Sequence, residues 1–127
     1  MGTLNTKLTL TSTDLLSDTL SLTLTDAFTI AGNIKIRRIT TSDTAAEIPG
    51  IPDGVGRSIL YLKNLDASID IKIYLDGDDG GDADAGEELM DMKPGEWAIM
   101  PYSGVKALWY DADSGTPVLE YGLFSIA

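Results

Sequence analysis

The stretch that decides the fold is Ser58-Ile59-Leu60-Tyr61-Leu62-Lys63-Asn64, a short polar turn, then Ile69-Asp70-Ile71-Lys72-Ile73-Tyr74-Leu75. Ile69, Ile71, Ile73 and Leu75 alternate strictly with Asp70, Lys72 and Tyr74. A period of two puts alternate side chains on opposite faces, so this is a half-buried β-strand. Downstream, an acidic glycine-rich run from Asp76 to Glu88 leads into Leu89–Met92. The chain then turns at Lys93-Pro94-Gly95-Glu96 and continues as Trp97-Ala98-Ile99-Met100-Pro101.

Working outward, the same signature recurs. Lys7–Thr11 and Leu20–Thr25 alternate leucine with threonine or serine, the pattern of a strand with one wet face. Leu-Thr-Leu-Thr occurs twice, at 8–11 and 22–25; two copies with no third do not make a repeat architecture. Ile34–Thr40 forms the next strand and holds three of the nine basic residues. In residues 41–57, Pro49, Gly50, Pro52, Gly54 and Gly56 break any regular element, so a long connection is expected to cross between sheets. Further strands are expected near 87–92, 96–101, 105–111 and 117–125, the last in a sheet interior, with turns at Ser103-Gly104 and Asp113-Ser114-Gly115. About nine strands and no helix read as an all-β, antiparallel β-sandwich, jelly-roll-like in topology. At 127 residues this is a single domain over 1–127, with residues 1–18 a candidate extended arm and 76–88 an acidic loop.

Composition narrows the function. With no histidine and no cysteine, the commonest general base and the best nucleophile are absent, and no disulfide can form. A carboxylate pair could hydrolyse glycosides, but the carboxylates crowd into one loop, so the chain is read as non-enzymatic. The net charge of −11 opposes nucleic-acid binding. No apolar run approaches a membrane span of about 18 residues. Met1–Thr6 has no basic segment leading into an apolar one, so no secretory signal is expected.

The charge is concentrated. Between Asp76 and Glu96 stand nine acids and one lysine, leaving the remainder nearly balanced. Counted as a twelve-residue calcium loop, Asp76, Asp78, Asp84 and Glu87 fall at positions one, three, nine and twelve, with Asp82 inside the loop. Gly80 at position five offers no side-chain oxygen, and the flanks read as strands. The loop is therefore either a solvated hairpin tip or an oxygen-rich calcium site built from Asp76, Asp78, Asp82, Asp84 and Glu87. Large apolar residues gather near the C-terminus: Trp97, Tyr102, Trp109, Tyr110 and Phe124 are candidate interface anchors. Exposed aromatics could also stack on sugar rings, but Trp97 and Trp109 run in phase with Ile99 and Ala107, which favours packing or a subunit contact.

Three short motifs carry a resemblance: Tyr61-Leu62-Lys63-Asn64 before a polar turn, Lys93-Pro94-Gly95-Glu96, and Leu119-Glu120-Tyr121. Over residues 58–124 this cadence resembles the small β-sandwich virion proteins of tailed bacteriophages; the acidic insert at 76–88 departs from it. The resemblance implies a structural role, first as a capsid decoration (cement) protein, with a neck, tail or head-fibre component as the alternative. It implies the major capsid protein or other virion proteins as partners, a homo-oligomer such as a trimer, and assembly onto the virion in the host cytoplasm, with no cofactor beyond the calcium question. A glycan- or host-surface-binding module is the reading from a different class.

Overall fold

The structure, a computed structural model, describes residues 2–13, 20–31, 35–51, 56–75, 87–103 and 106–127. Ten strands and no helix are present among them: β1 (Gly2–Ser12), β2 (Leu20–Ile30), β3 (Arg37–Thr40), β4 (Ala46–Glu47), β5 (Ser58–Asn64), β6 (Ile71–Leu75), β7 (Glu87–Met92), β8 (Trp97–Tyr102), β9 (Leu108–Ala112) and β10 (Val118–Ser125). They divide into two compact units, Met1–Asn33 with Ile126–Ala127, and Ile34–Ser125.

The larger unit is an antiparallel sandwich. One sheet runs β3-β10-β5-β8 and the other β4-β9-β6-β7. Numbering these eight strands from one, the orders are 1-8-3-6 and 2-7-4-5, the strand arrangement of a jelly roll. The long final strand β10 lies in a sheet interior, between β3 and β5, as expected. The connection through residues 41–57 does cross to the other sheet and back. It also contains a two-residue strand, β4, paired with β9, too short to leave a periodic signal and the source of the tenth strand.

Alternation sorts each strand between core and surface. Leu60 and Leu62 of β5, Ile71 and Ile73 of β6, Leu108 of β9 and Leu119 and Tyr121 of β10 meet Ile48, Ile51 and Met92 in one buried cluster. Two polar links close it: the Tyr121 hydroxyl donates to the Pro49 carbonyl at 2.7 Å, and the buried Thr41 hydroxyl donates to the Pro117 carbonyl at 2.8 Å. A buried hydroxyl left unpaired would carry its desolvation cost, so these partners are what make the positions tolerable.

The smaller unit is a two-stranded ribbon. β1 and β2 pair in unbroken register from Gly2↔Ile30 to Ser12↔Leu20. An antiparallel bridge joins Ile30 to Ile126, and the Ala127 N–H donates to the Thr29 carbonyl at 2.9 Å. Within residues 1–18, the candidate extended arm, β1 takes its partner from the adjacent strand β2. The reason is local: two leucine-threonine strands close in sequence zip together with Leu4, Leu8, Leu10, Leu22 and Leu24 on one face.

Candidate functional site: an exposed face of the jelly roll

The three motifs behind the resemblance converge at one end of the sandwich. Leu119, Glu120 and Tyr121 of β10 pair with Asn64, Lys63 and Leu62 of β5. Asn64 in turn receives the Gly95 N–H on its carbonyl (3.1 Å) and donates its own N–H to Glu96 (2.9 Å). The Lys93–Glu96 turn closes through Glu96 N–H to the Lys93 carbonyl, with Pro94 at its second position and Gly95 at φ 79° at its third. That positive φ is what a type II turn requires, and glycine supplies it without strain. The Glu96 carboxylate accepts from the Lys93 N–H (2.8 Å) and locks the turn. The Lys93 ammonium bonds Asp70 (2.5 Å) and Asp91 (2.7 Å), hydrogen bonds that raise its pKa.

Asn64 is completely buried. Its Nδ2 donates to the carbonyls of Ile69 (2.8 Å) and Met92 (3.0 Å), and its Oδ1 accepts from the Asp66 N–H (3.0 Å). One side chain thus ties β5 in the first sheet to β7 in the second. These motifs are joints of the scaffold.

The surface they carry is the outer face of the β3-β10-β5-β8 sheet. β8 is its edge strand, and Trp97, Ile99 and Pro101 point outward while Met100 and Tyr102 pack against the core. Trp97 is 55% exposed and Ile99 51%, high for large apolar side chains on a strand. Across the sheet, Trp97 neighbours Lys63, Ile99 neighbours Tyr61, and Pro101 neighbours Ile59. On β10, Gly122 leaves room for Ile36 and Phe124; a Cβ there would lie 2.9 Å from Ile36 Cδ1 and 3.0 Å from Phe124 Cζ. Ile36 is itself 51% exposed. An apolar strip therefore crosses this face, and an open cleft of about 680 Å³ lined by Met90–Met92 and Pro94–Ala98 flanks it beside Trp97.

One polar cluster borders the strip. Arg38 Nε donates to Glu120 Oε2 at 2.7 Å and the Tyr61 hydroxyl donates to Oε1 at 2.8 Å. The Arg38 bond, then the Tyr61 bond, hold the Glu120 carboxyl below its usual range; burial and the same carboxylate raise the Tyr61 phenol. Because its folded pKa is depressed, Glu120 contributes stability above its unfolded value of about 4.3, and that contribution is lost as pH falls through the lower folded value. Arg38 is mostly exposed, so the effect is small. Glu120→Gln is expected to lower stability by about 0.5–1 kcal/mol at pH 7, the difference from the parent disappearing in acid below the Glu120 pKa; melting curves from pH 7 down to 3 measure it.

The candidate anchors do not form one patch. Trp97 and Phe124 lie on this outer face, Phe124 buried within it. Tyr102 points inward, its hydroxyl donating to the Lys106 carbonyl, and Tyr110 packs against the core. Trp109 stands on the outer face of the other sheet, across from Tyr74 and Glu47, its buried indole N–H without a hydrogen-bond partner among the described residues. Ile99 and Ile36, which complete the exposed strip, were not singled out from sequence; the shared parity of Ile99 with Trp97 was the available signal. Of the calcium candidates, Asp76, Asp78, Asp82 and Asp84 lie outside the described residues; Glu87 opens β7 and is exposed. Among the described residues no three acidic side chains gather as a metal site would need.

A fold likeness stands beside this geometry. The chain resembles a bacterial pilus subunit in architecture. That solved structure, described as "Bacillus endospore appendages form a novel family of disulfide-linked pili", superposes with a TM-score of 0.50 and 17% identity, covering 79% of this chain and 91% of that one. At that identity the likeness concerns the fold alone. No family model and no curated protein matches the chain.

Proposed function

We propose that this protein is a structural subunit, a capsid decoration protein of a tailed bacteriophage that steadies the head by burying the Trp97–Ile99–Ile36 face against the major capsid protein. The observation that carries the reading is that exposed apolar strip on a rigid jelly-roll sheet. A large aromatic and an isoleucine held open on β8, with Ile36 beside Gly122, are suited to anchoring a partner and cost little side-chain entropy to immobilise. A cement function needs contact area and no chemistry. The phage assignment rests on the motif cadence of residues 58–124, which is equally compatible with a neck, tail or head-fibre position; the likeness to a pilus structure adds the fold alone. Having no cysteine, this chain would hold such an assembly together without the disulfide links named for that pilus. On this reading the protein is non-enzymatic and resides in the virion, assembled in the host cytoplasm.

Trp97→Ala combined with Ile99→Ser is expected to change folding stability by less than about 1 kcal/mol, both side chains being half or more exposed. The same variant should bind capsids lacking the protein about 30-fold or more weakly, as loss of a 2 kcal/mol anchor gives. Equal binding by parent and variant would remove this face from the assembly. The exposed indole also favours a second reading, a glycan platform. Binding of the parent to a glycan array, lost with Trp97→Ala and accompanied by no capsid binding, selects that reading.

A further inference from the structure

We propose that the protein dimerises by pairing the open edge of β8 with β8 of a second copy, antiparallel and centred on Ile99, so that two four-stranded sheets join into one. The backbone of β8 has a defined free side. The Asn64 N–H donates to the Glu96 carbonyl at 2.9 Å, and the register runs on from Lys63↔Trp97 to Ser58↔Tyr102. Antiparallel bonding alternates along a strand, so Ala98, Met100 and Tyr102 turn their backbone groups to β5, while Trp97, Ile99 and Pro101 turn theirs outward. Among the described residues no strand pairs with that outward side. Proline has no N–H, and at position 101 the missing donor falls on the open side, where the ladder to β5 loses nothing.

The edges differ in how they are guarded. The two sandwich sheets end in β3, β8, β4 and β7. β3 carries Arg37 and Arg38, β4 is two residues long, and β7 carries Glu87, Glu88 and Asp91 and shifts register opposite Ile73 and Tyr74. Charge, brevity and bulges are the devices that keep an edge from pairing with copies of its own chain. β8, six residues with no charged side chain, has none of them. It also matches itself. About a two-fold axis at Ile99, each Ile99 N–H donates to the other copy's Ile99 carbonyl, and each Trp97 N–H to the other copy's Pro101 carbonyl. Trp97 then stands opposite Pro101 at both ends of the seam, indole beside pyrrolidine ring, and Ile99 opposite Ile99, so the exposed apolar side chains of β8 gain neighbours. The pairing consumes the same edge in both copies and closes at two.

Length sets the strength. Six residues at about 3.4 Å rise make a seam of roughly 20 Å, a smaller contact than a standard interface. The dimer is therefore concentration-dependent, with a dissociation constant of about 10–300 μM. β7, joined to β8 by the Lys93–Glu96 turn, brings an acidic edge near the seam in each copy, so salt that screens it tightens the pair. The proposal does not rest on the capsid reading: it engages the backbone edge of β8, the capsid contact engages the outer side-chain face, and each can fail without the other.

Sedimentation of the full chain from about 1 to 300 μM should show a reversible monomer–dimer equilibrium, tighter in about 500 mM than in about 50 mM salt. Ile99→Pro, which deletes the central donor on the side away from β5, should weaken it about tenfold or more. Should that variant fail to fold, the parent still decides by hydrogen exchange: the Ile99 amide, open in the monomer, should exchange about tenfold more slowly in the concentrated sample. The chain has no cysteine, so single thiols report the geometry. Ile99→Cys should form inter-chain disulfides on mild oxidation, paired Cα atoms lying about 5.5 Å apart, whereas Ile36→Cys, exposed on the same face but off the seam, should not. A parent that stays monomeric across the range, whatever peptide or protein it binds instead, overturns the proposal. So does a dimer that leaves the Ile99 amide unprotected, one that salt loosens, or equal cross-linking at the two positions.

Discussion

Asn64→Ala lowers the unfolding free energy of the sandwich by about 3–5 kcal/mol, more than any surface substitution in the molecule. The side chain makes three hydrogen bonds from a fully buried position. Its removal strands the carbonyls of Ile69 and Met92 and the N–H of Asp66, and each buried orphan costs about 1–3 kcal/mol rather than the smaller net value of a made bond. Asn64→Asp is worse at neutral pH. A carboxylate would aim its oxygens at two carbonyl oxygens where an amide now donates, and that repulsion eases only when acid protonates it. Urea unfolding of the two variants at pH 7, and of Asn64→Asp again at pH 4, gives the comparison. A loss below about 1 kcal/mol for the alanine variant would mean that water replaces the amide and that the joint between the sheets is not where the geometry puts it.

Leu62→Ala is expected to cost about 3–5 kcal/mol. Leu62 sits in the middle of β5, with Tyr121 of β10 on one side and Ala98 of β8 on the other, and has no exposed surface. A strand hydrogen-bonded along both edges cannot shift to fill the space, so the cavity term adds to the lost transfer energy. Leu65→Ala, just beyond the strand at an exposed position, should stay within about 1 kcal/mol. Against a total stability of about 5–15 kcal/mol, the core variant is near the limit of folding at 37 °C, and paired denaturation curves separate the two outcomes cleanly. Similar losses at Leu62 and Leu65 would mean that β5 is not the centre of a close-packed layer.

Much of this fold was legible in the alternation of residues 58–75 and in the glycine-proline turns. The strands 58–64 and 87–92 fall where the pattern puts them, because in each the polar and apolar sets meet a turn residue at both ends. The aromatic residues were harder. In β8 both parities are apolar: Trp97, Ile99 and Pro101 on one, Ala98, Met100 and Tyr102 on the other. Period two says that these sets face opposite ways and is silent on which faces the core. The cross-strand partners Leu60 and Leu62 decide it. Trp109 and Tyr110 are adjacent in sequence and so necessarily point to opposite sides of their sheet, which no single patch could have held.

The motif Leu62-Lys63-Asn64 was visible as a cadence, but the role of Asn64 depends on Met92, twenty-eight residues away. Likewise each Leu-Thr-Leu-Thr segment declared a strand with one apolar face, while the choice between a ribbon and a place in the sandwich turned on pairing. Local pattern determines the side a residue faces, because pleating and the φ,ψ limits of L-residues act on neighbours in the chain. Which strand lies alongside, and therefore which apolar face is buried and which is left open at Trp97 or at Leu24, is settled by hydrogen bonds and packing between segments far apart in sequence. Those are properties of the closed sandwich and of the paired ribbon, and only the tertiary structure decided them.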